Sequence, residues 1–204
     1  MKADIFVLSA PAGGGKTTIA NLLLKEIPDL QRIVTYTTRK PRPGEKNGVD
    51  YVFVSKEEFE KLIQENAFLE HAIVHGNYYG TPKREVFELI EKGIDVLLVI
   101  DVQGMRQIKS NYKDIISIFL IPPSFDELKL RMKKRGDSEE EIEKRLHTAI
   151  KELKAWKEYD FIVINDDIQK AKENTKYIIL SNRLKTKRFD ISKIEDEKLR
   201  NLLK

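Results

Sequence analysis

The segment SAPAGGGKTT (residues 9–18) holds three consecutive glycines, a lysine and two threonines. Backbone N–H groups of such a turn can surround phosphate oxygens. Lys16 would reach the β- and γ-phosphates of a nucleoside triphosphate, and the Thr17 hydroxyl would ligate its magnesium ion. A glycine-rich turn with a solvated lysine is the alternative. The predicted ATP-binding residues here are Ala10, Pro11, Ala12, Gly13, Gly14, Gly15, Lys16, Thr17 and Thr18.

The phosphate-binding pattern GxxxxGK followed by Ser or Thr is matched with one departure, because Ala10 stands where the pattern has its first glycine. We expect the alanine to be tolerated if the backbone keeps a negative φ at this position.

A second group of cations lies in TYTTRKPRPGEKNGVDY (residues 35–51), which places Arg39 and Arg42 three residues apart around Pro41. Two guanidinium groups presented this way suit a phosphate dianion, because each can form paired hydrogen bonds with its oxygens. A solvated loop is the alternative. The spacing predicts a site for a second, phosphorylated substrate.

Four apolar runs, separated by helical patterns, predict the scaffold that positions these loops. They are IFVLSA (Ile5 to Ala10), VLLVID (Val96 to Asp101), IISIFLI (Ile115 to Ile121) and FIVIN (Phe161 to Asn165). Short apolar runs between helices are typical of buried parallel strands. The glycine-rich loop follows the first run and opens an amphipathic stretch from Lys16 to Ile27. The sequence therefore predicts an α/β fold with a parallel sheet flanked by helices.

Three helices are expected to begin at a serine that is followed three positions later by glutamate. The pairs are Ser55 with Glu58, Ser124 with Glu127, and Ser138 with Glu141. The third helix should pack one face on the core. That face would comprise Ile142, Leu146, Ala149, Leu153 and Trp156. The charged stretch 129–144, with Gly136 in its middle, has the character of a mobile lid.

The composition bounds the class of protein. The 204 residues are 41% hydrophobic and 34% charged, which predicts one folded domain with a highly charged surface. There is no cysteine, and three scattered histidines do not suit a histidine-based metal site. No run of eighteen apolar residues is present, and residues 1–3 lead directly into the first strand, so we expect a cytoplasmic protein without membrane contact.

The charge balance does not favour nucleic acid as a partner. The 37 basic residues interleave with 33 acidic ones, and the net charge of +4 suits small anionic substrates equally well. One basic run, RLKTKR (residues 183–188), is expected to be a solvated helix end.

Several motifs, in this order behind the glycine-rich loop, resemble guanylate kinases. They are TTRKPRPGE (37–45), FLEHAIVHGNYYGTP (68–82), IDVQG (100–104), IPPS (121–124) and VINDD (163–167). The resemblance extends to about Arg183. It implies a P-loop NTPase core (1–34, 84–124 and 156–204), a mixed α/β GMP-binding insertion (35–83) and a helical lid (125–155).

The resemblance also implies roles for individual residues. It assigns the GMP phosphate to Arg39, Arg42, Tyr51 and Tyr79, and the guanine base to Thr35, Glu70, Thr81 and Asp101. The lid arginines would be Arg131, Arg135 and Arg145, and Asn165 would lie beside adenine. Taken singly, Tyr79 could be hairpin packing, Arg145 a solvated position and Asp101 a helix cap. One departure is Val99, which stands where the family usually has a second acidic residue before Asp101.

The implied reaction is ATP + GMP to ADP + GDP with Mg²⁺, a step of purine nucleotide metabolism. The acceptor phosphate has a second pKa near 6, so no general base is needed, and Lys16, Mg²⁺ and the arginines would neutralise the transferred phosphoryl. The rivals are a protein-binding module of this fold with a decayed ATP site, and a kinase of the same fold that acts on a ribose phosphate. Intact Lys16, Thr17 and lid arginines argue against the first. The base-reading residues Thr35, Glu70 and Asp101 argue against the second, since a sugar phosphate needs none of them.

Overall fold

The computed structural model describes residues 3–74 and 76–203. The strands are β1 (Ile5–Ser9), β2 (Leu30–Arg32), β3 (Tyr36–Thr37), β4 (Val52–Phe53), β5 (Phe68–Val74), β6 (Asn77–Pro82), β7 (Asp95–Val99), β8 (Ile116–Ile121) and β9 (Phe161–Ile164). The α-helices are α1 (Lys16–Glu26), α2 (Lys56–Gln64), α3 (Lys83–Glu91), α4 (Val102–Asn111), α5 (Phe125–Lys134), α6 (Glu139–Leu153), α7 (Ile168–Arg183) and α8 (Glu197–Leu202). Within the described ranges, no helix combines the length and apolarity that crossing a membrane requires.

The central sheet has the strand order β2-β7-β1-β8-β9, and every pairing in it is parallel. Helices α1 and α7 pack on one face through Leu23 and Ile179, while α3 and α4 pack on the other through Val86 and Met105. The predicted strands and the layered α/β architecture are confirmed. Strand β2 was not predicted, because only Leu30 of its three residues is buried and no apolar run marks it.

A second sheet, with the order β4-β3-β6-β5, is formed within residues 36–82. Short strand-like patterns in the sequence at 51–54 and 68–74 correspond to β4 and β5, whereas no such pattern marks β3 and β6. Gly80 is required where β6 crosses stacked aromatic rings. A Cβ at Gly80 would lie 2.8 Å from atoms of both Phe59 and Phe68, whose ring centroids are 4.5 Å apart.

The three predicted helix starts are confirmed. Each serine hydroxyl accepts a hydrogen bond from the backbone N–H three residues later, and at Ser138 the Glu141 carboxylate also accepts from the serine N–H at 2.9 Å. The prediction that Trp156 faces the core was wrong. Helix α6 ends at Leu153 and a tighter 3₁₀ turn follows (Lys154–Glu158), which changes the rotation per residue, so Ala155 is buried and Trp156 is 45% exposed.

The basic run 183–188 is not the solvated helix end that its composition suggested. Arg188 is buried and pairs with Asp4 at 3.0 Å and Asp95 at 2.9 Å, and Arg183 pairs with Asp95 at 2.8 Å. Asp4 precedes β1 and Asp95 begins β7, so these two arginines hold the tail at the amino ends of the central strands. The phosphate-binding loop follows the opposite end of β1.

Candidate active site

A cleft of about 1440 Å³ opens at the carboxyl ends of the central strands, between the central sheet, the second sheet and the α5–α6 pair. It is lined by every predicted site residue except Ala10 and Thr81, both of which are buried. Chain segments far apart in sequence are thereby brought to one space. The cleft is also lined by Glu45, Asp137 and Glu152, which sequence reasoning did not select.

The loop between β1 and α1 has the backbone that the glycine run predicts. Gly13 and Gly15 have φ of +78° and +94°, in the left-handed region that favours glycine. A Cβ at Gly14 would lie 2.7 Å from the Ala10 Cβ. Ala10 itself is not among the positive-φ residues of the described chain, so the backbone condition under which alanine should be tolerated there is met.

Lys16 lies at the start of α1 with its ammonium turned back to the loop, donating to the Ala10 carbonyl at 2.5 Å. Burial lowers the pKa of Lys16, while Glu152 and Asp101 oppose that shift. In the described part of the chain, no carboxylate forms an ion pair with Lys16 within 4.0 Å. A partly buried cation without a directly paired anion is suited to bind an anionic ligand.

Glu152, in the last turn of α6, faces Lys16 and Asp101. Burial raises the pKa of this carboxyl group, and the nearby Lys16 opposes the shift. Its Oε2 atom is buried and has no hydrogen-bond partner among the described residues. Buried carboxylate oxygens are normally satisfied, so this atom marks a place where a ligand or its water would complete the site. Val99 lines the same cleft and contributes no oxygen.

Asn165 ties the end of β9 to the phosphate-binding loop. Its Nδ2 donates to the Gly14 carbonyl at 2.9 Å, and a Cβ at Gly15 would collide with the same amide. Arg131 donates to the Asn165 backbone carbonyl at 3.0 Å and pairs with Glu127 at 2.7 Å. The side chain of Asn165 therefore supports the loop, and its contact with adenine stays a prediction.

The two arginines of the 35–51 loop share one carboxylate. Arg39 Nη2 pairs with Glu45 Oε1 at 2.8 Å, and the backbone N–H of Arg42 donates to Glu45 Oε2 at 2.8 Å. The Arg39 guanidinium also lies over the Tyr51 ring, 5.3 Å from its centroid, and Tyr51 meets Tyr79 edge to face. Glu45 follows Arg42 by three residues, which is the signal that could have identified it.

Glu70 is the buried carboxylate on the other side of the cleft. Thr81 Oγ1 donates to Glu70 Oε1 at 2.6 Å, and Gly104 in α4 permits close approach, since a Cβ there would lie 2.6 Å from Glu70 Oε2. Burial raises the pKa of Glu70 to about 7, against the effect of the Thr81 hydrogen bond. Thr81 thus lies behind Glu70 and away from the cleft surface. Asp101 caps α4 by accepting from the Gly104 N–H at 2.9 Å.

The lid arginines do not form one group. Arg135 and Arg145 both pair with Asp137, at 2.5 Å and 3.1 Å, while Arg131 is held by Glu127 and Asn165. No sequence pattern had marked Asp137. It lies in the turn between α5 and α6, and only the pairing of these helices brings Arg145 to it.

Comparison with known proteins supports the resemblance that the sequence motifs indicate. A family model described as guanylate kinase matches residues 2–182. The chain belongs to the guanylate kinase family. The chain is 49% identical over 188 residues to the guanylate kinase of Neisseria gonorrhoeae, covering 92% of each, and 48% identical over 185 residues to that of Shewanella sp. strain MR-7, covering 90% of this chain and 89% of the relative. 

A solved structure extends the likeness to the fold. The crystal structure of guanylate kinase from Anaplasma phagocytophilum is similar with a TM-score of 0.80 and 36% identity, covering 98% of this chain and 93% of that chain. As a member of this family, the protein is an enzyme of the nucleoside monophosphate kinase class. The family match ends before Arg183, so the ion-paired tail lies beyond it.

Proposed function

We propose that this enzyme transfers the γ-phosphoryl group of ATP to GMP and releases ADP and GDP. One observation carries the proposal. A single cleft is lined by the phosphate-binding loop, by the Arg39 and Arg42 loop, by the lid arginines and by the buried Glu70. Two anionic substrates could meet there with cations on three sides, which is the arrangement that phosphoryl transfer between two polyanions requires.

On the ATP side, the N–H groups of the glycine-rich loop and the amino end of α1 would hold the β- and γ-phosphates. Lys16 would exchange its bond with the Ala10 carbonyl for a phosphate oxygen. Asn165 supports the shape of the loop, because its Nδ2 donates a hydrogen bond to the Gly14 carbonyl. The loop is therefore prepared before ATP arrives.

A magnesium ion carried with ATP fits the oxygen donors of this wall. Among the described residues, no group of three His, Asp or Glu could hold a metal alone, which agrees with an ion that keeps phosphate and water ligands. Thr17 is exposed and lines the cleft, and Asp101 and Glu152 supply carboxylates near Lys16. When bound, the ion would neutralise charge on the phosphate oxygens.

On the GMP side, Arg39, Arg42, Tyr51 and Tyr79 would bind the phosphate. The guanine base offers two adjacent donors, its ring N–H and its amino group, and an ionised Glu70 would accept both. Thr81 would orient Glu70 from behind, with Thr35 and Asp101 completing the base pocket. Adenine presents an acceptor at the ring position and would leave Glu70 unpaired, so it should be rejected.

Transfer itself needs no catalytic base. The GMP phosphate is largely ionised at neutral pH and attacks in line, while Lys16, Arg39 and the lid arginines stabilise the spreading charge. Closure of α5 and α6 over the filled cleft would exclude water and prevent wasteful ATP hydrolysis. We place this reaction in cytoplasmic purine nucleotide metabolism.

The test is a coupled assay of ADP release with ATP and a panel of acceptors: GMP, AMP, CMP, UMP and a ribose phosphate. We expect GMP to be preferred over AMP by about a thousandfold, because a buried acceptor would otherwise lose its partners. The Lys16→Ala variant, purified identically, corrects for contaminating kinases. Equal rates with AMP, or turnover with the sugar phosphate alone, would refute the proposal, and no turnover with any acceptor would favour a binding module.

A further inference from the structure

Asp137 occupies a backbone position that is fixed from both sides. At the end of α5, the Gly136 N–H donates to the Lys133 carbonyl at 3.0 Å and the Asp137 N–H to the Met132 carbonyl at 3.2 Å, the two bonds of a Schellman motif. Gly136 has φ +90° and faces open space, so its conformation and not crowding requires glycine. Ser138 follows immediately and caps α6.

The Asp137 side chain is 8% exposed and is shared by two guanidinium groups, Arg135 Nη2 at 2.5 Å and Arg145 Nη1 at 3.1 Å. Arg145 is half-buried beside other cations. Burial lowers the pKa of Arg145, Asp137 opposes that shift, and Arg135 and Arg42 add to it. The Asp137 carboxylate thus offsets the repulsion between guanidinium groups that lie close together at the cleft.

Three neighbouring acidic side chains are already engaged in other contacts. Glu141 lines the cleft, but its carboxylate accepts a hydrogen bond from the Ser138 N–H. Moving this carboxylate into the cleft would break the cap of α6. Glu139 pairs with Lys133, and Glu140 pairs with Lys144. Asp137 is the acidic residue of the turn between α5 and α6, and its contacts are directed at Arg135 and Arg145.

We propose that Asp137 is a positioning residue for phosphoryl transfer, which holds Arg135 and Arg145 side by side so that both meet the transferred phosphoryl group. This inference rests on the proposed function. Each arginine has five N–H donors and gives one nitrogen to Asp137, which leaves the others for phosphate oxygens. Fixing the donors before reaction avoids reorganisation when charge develops.

The first test is Asp137→Asn, which keeps the size of the side chain and removes its charge. We expect kcat to fall about 10- to 100-fold, the range of a charge-assisted hydrogen bond, with the KM for GMP changed by less than about threefold. Ser138→Ala is the matched control, because it damages the same turn without touching either arginine. It should leave kcat within about twofold. If the control reproduces the loss of Asp137→Asn, the effect belongs to the turn and the proposal is wrong.

The decisive test places Asp137→Asn in the Arg135→Ala, Arg145→Ala double variant. If Asp137 acts through the arginines, its substitution should cause no further loss of kcat there. The same fold-loss in both backgrounds would overturn the positioning role. The double variant alone reports on the proposed function: if it turns over as fast as the unmodified enzyme, the lid arginines are not part of the chemistry, and Asp137 has nothing to position.

Discussion

The two walls of the cleft are built in different ways. The ATP wall is a turn of consecutive residues, in which the φ angles of Gly13 and Gly15 and the helix start at Lys16 make the site locally. The lid wall is made of side chains paired across helices, with Arg135 and Arg145 on Asp137. The comparison shows that a backbone site can be recognised in the sequence, whereas a site of paired side chains depends on counter-ions that the motifs do not include.

The largest effect is expected at the ATP wall. Lys16→Ala should abolish turnover, a loss of about a thousandfold or more, because the cation at the β- and γ-phosphates is removed. GMP binding and thermal stability should be nearly unchanged, since Lys16 has no ion-pair partner within 4.0 Å among the described residues. Steady-state kinetics and GMP calorimetry measure both. Substantial turnover with unchanged dependence on ATP would mean that the ATP wall is not at this loop.

On the lid wall, Arg135→Ala should lower kcat by about 100-fold, because charge on the transferred phosphoryl grows towards the transition state. GMP affinity should fall much less. Arg84→Ala, in an exposed pair with Glu88 outside the cleft, is the matched control. An effect confined to the KM for GMP would show that Arg135 does not contact the transferred phosphoryl group, and it would weaken the contrast between the two walls.

Glu70→Gln tests the base pocket. Replacing one acceptor oxygen by a donor should weaken GMP binding by about 10- to 1000-fold while ATP affinity scarcely changes. Calorimetry with each nucleotide measures this. Unchanged GMP binding would show that Glu70 does not recognise guanine.

The same residue predicts a pH dependence. Protonated Glu70 cannot accept two donors, and its pKa is about 7, so GMP affinity should fall as the pH drops below 7. The GMP phosphate also titrates, near pH 6, and Glu70→Gln reports that part alone. Because the folded-state pKa is raised, the unfolding free energy should decline as pH rises from 4.5 to about 7, and Glu70→Gln should remove this decline in thermal melts.

A smaller effect is expected for Glu152→Gln. The carboxylate would order water around the nucleotide's magnesium. The ratio of ATP affinity with Mg²⁺ to ATP affinity without it should therefore fall about tenfold, which is typical when a group that supports metal ligands is removed. ATP without Mg²⁺ should bind equally or more tightly, because a negative charge is gone. Adding Val99→Asp should restore part of the Mg²⁺ advantage. An equal loss with and without Mg²⁺ would show that Glu152 only shapes the wall.

Arg188→Ala should have the smallest effect on turnover, because Arg188 lies at the opposite end of the central strands. It should lower the unfolding free energy by about 3 kcal/mol, since Asp4 and Asp95 lose a buried partner. Denaturant unfolding and kcat well below the melting temperature measure both. A loss of kcat in the fully folded protein would connect the tail to the cleft.

Much of the fold could be predicted because apolar runs and serine caps act locally. Strand β2 was not predicted, because a single buried residue makes no recognisable pattern. Trp156 was assigned to the wrong face, because a 3₁₀ turn after Leu153 changes the rotation per residue. The site residues were found largely through motifs. Asp137 and Glu152 were not, since the role of Asp137 depends on its contact with Arg145 in α6 and that of Glu152 on the approach of α6 to the phosphate-binding loop.

By itself, the sequence determined the strand–loop–helix around Lys16, the α/β order of elements and the family to which the chain belongs. These depend on backbone conformation and periodic burial, which neighbouring residues set. The tertiary structure decided which charges lie together: Arg188 with Asp4 and Asp95, and Arg145 with Asp137. Coulomb interactions depend on distance in space, and an acid and a base separated by many residues become partners only when the packed sheets and helices bring them within a few ångströms.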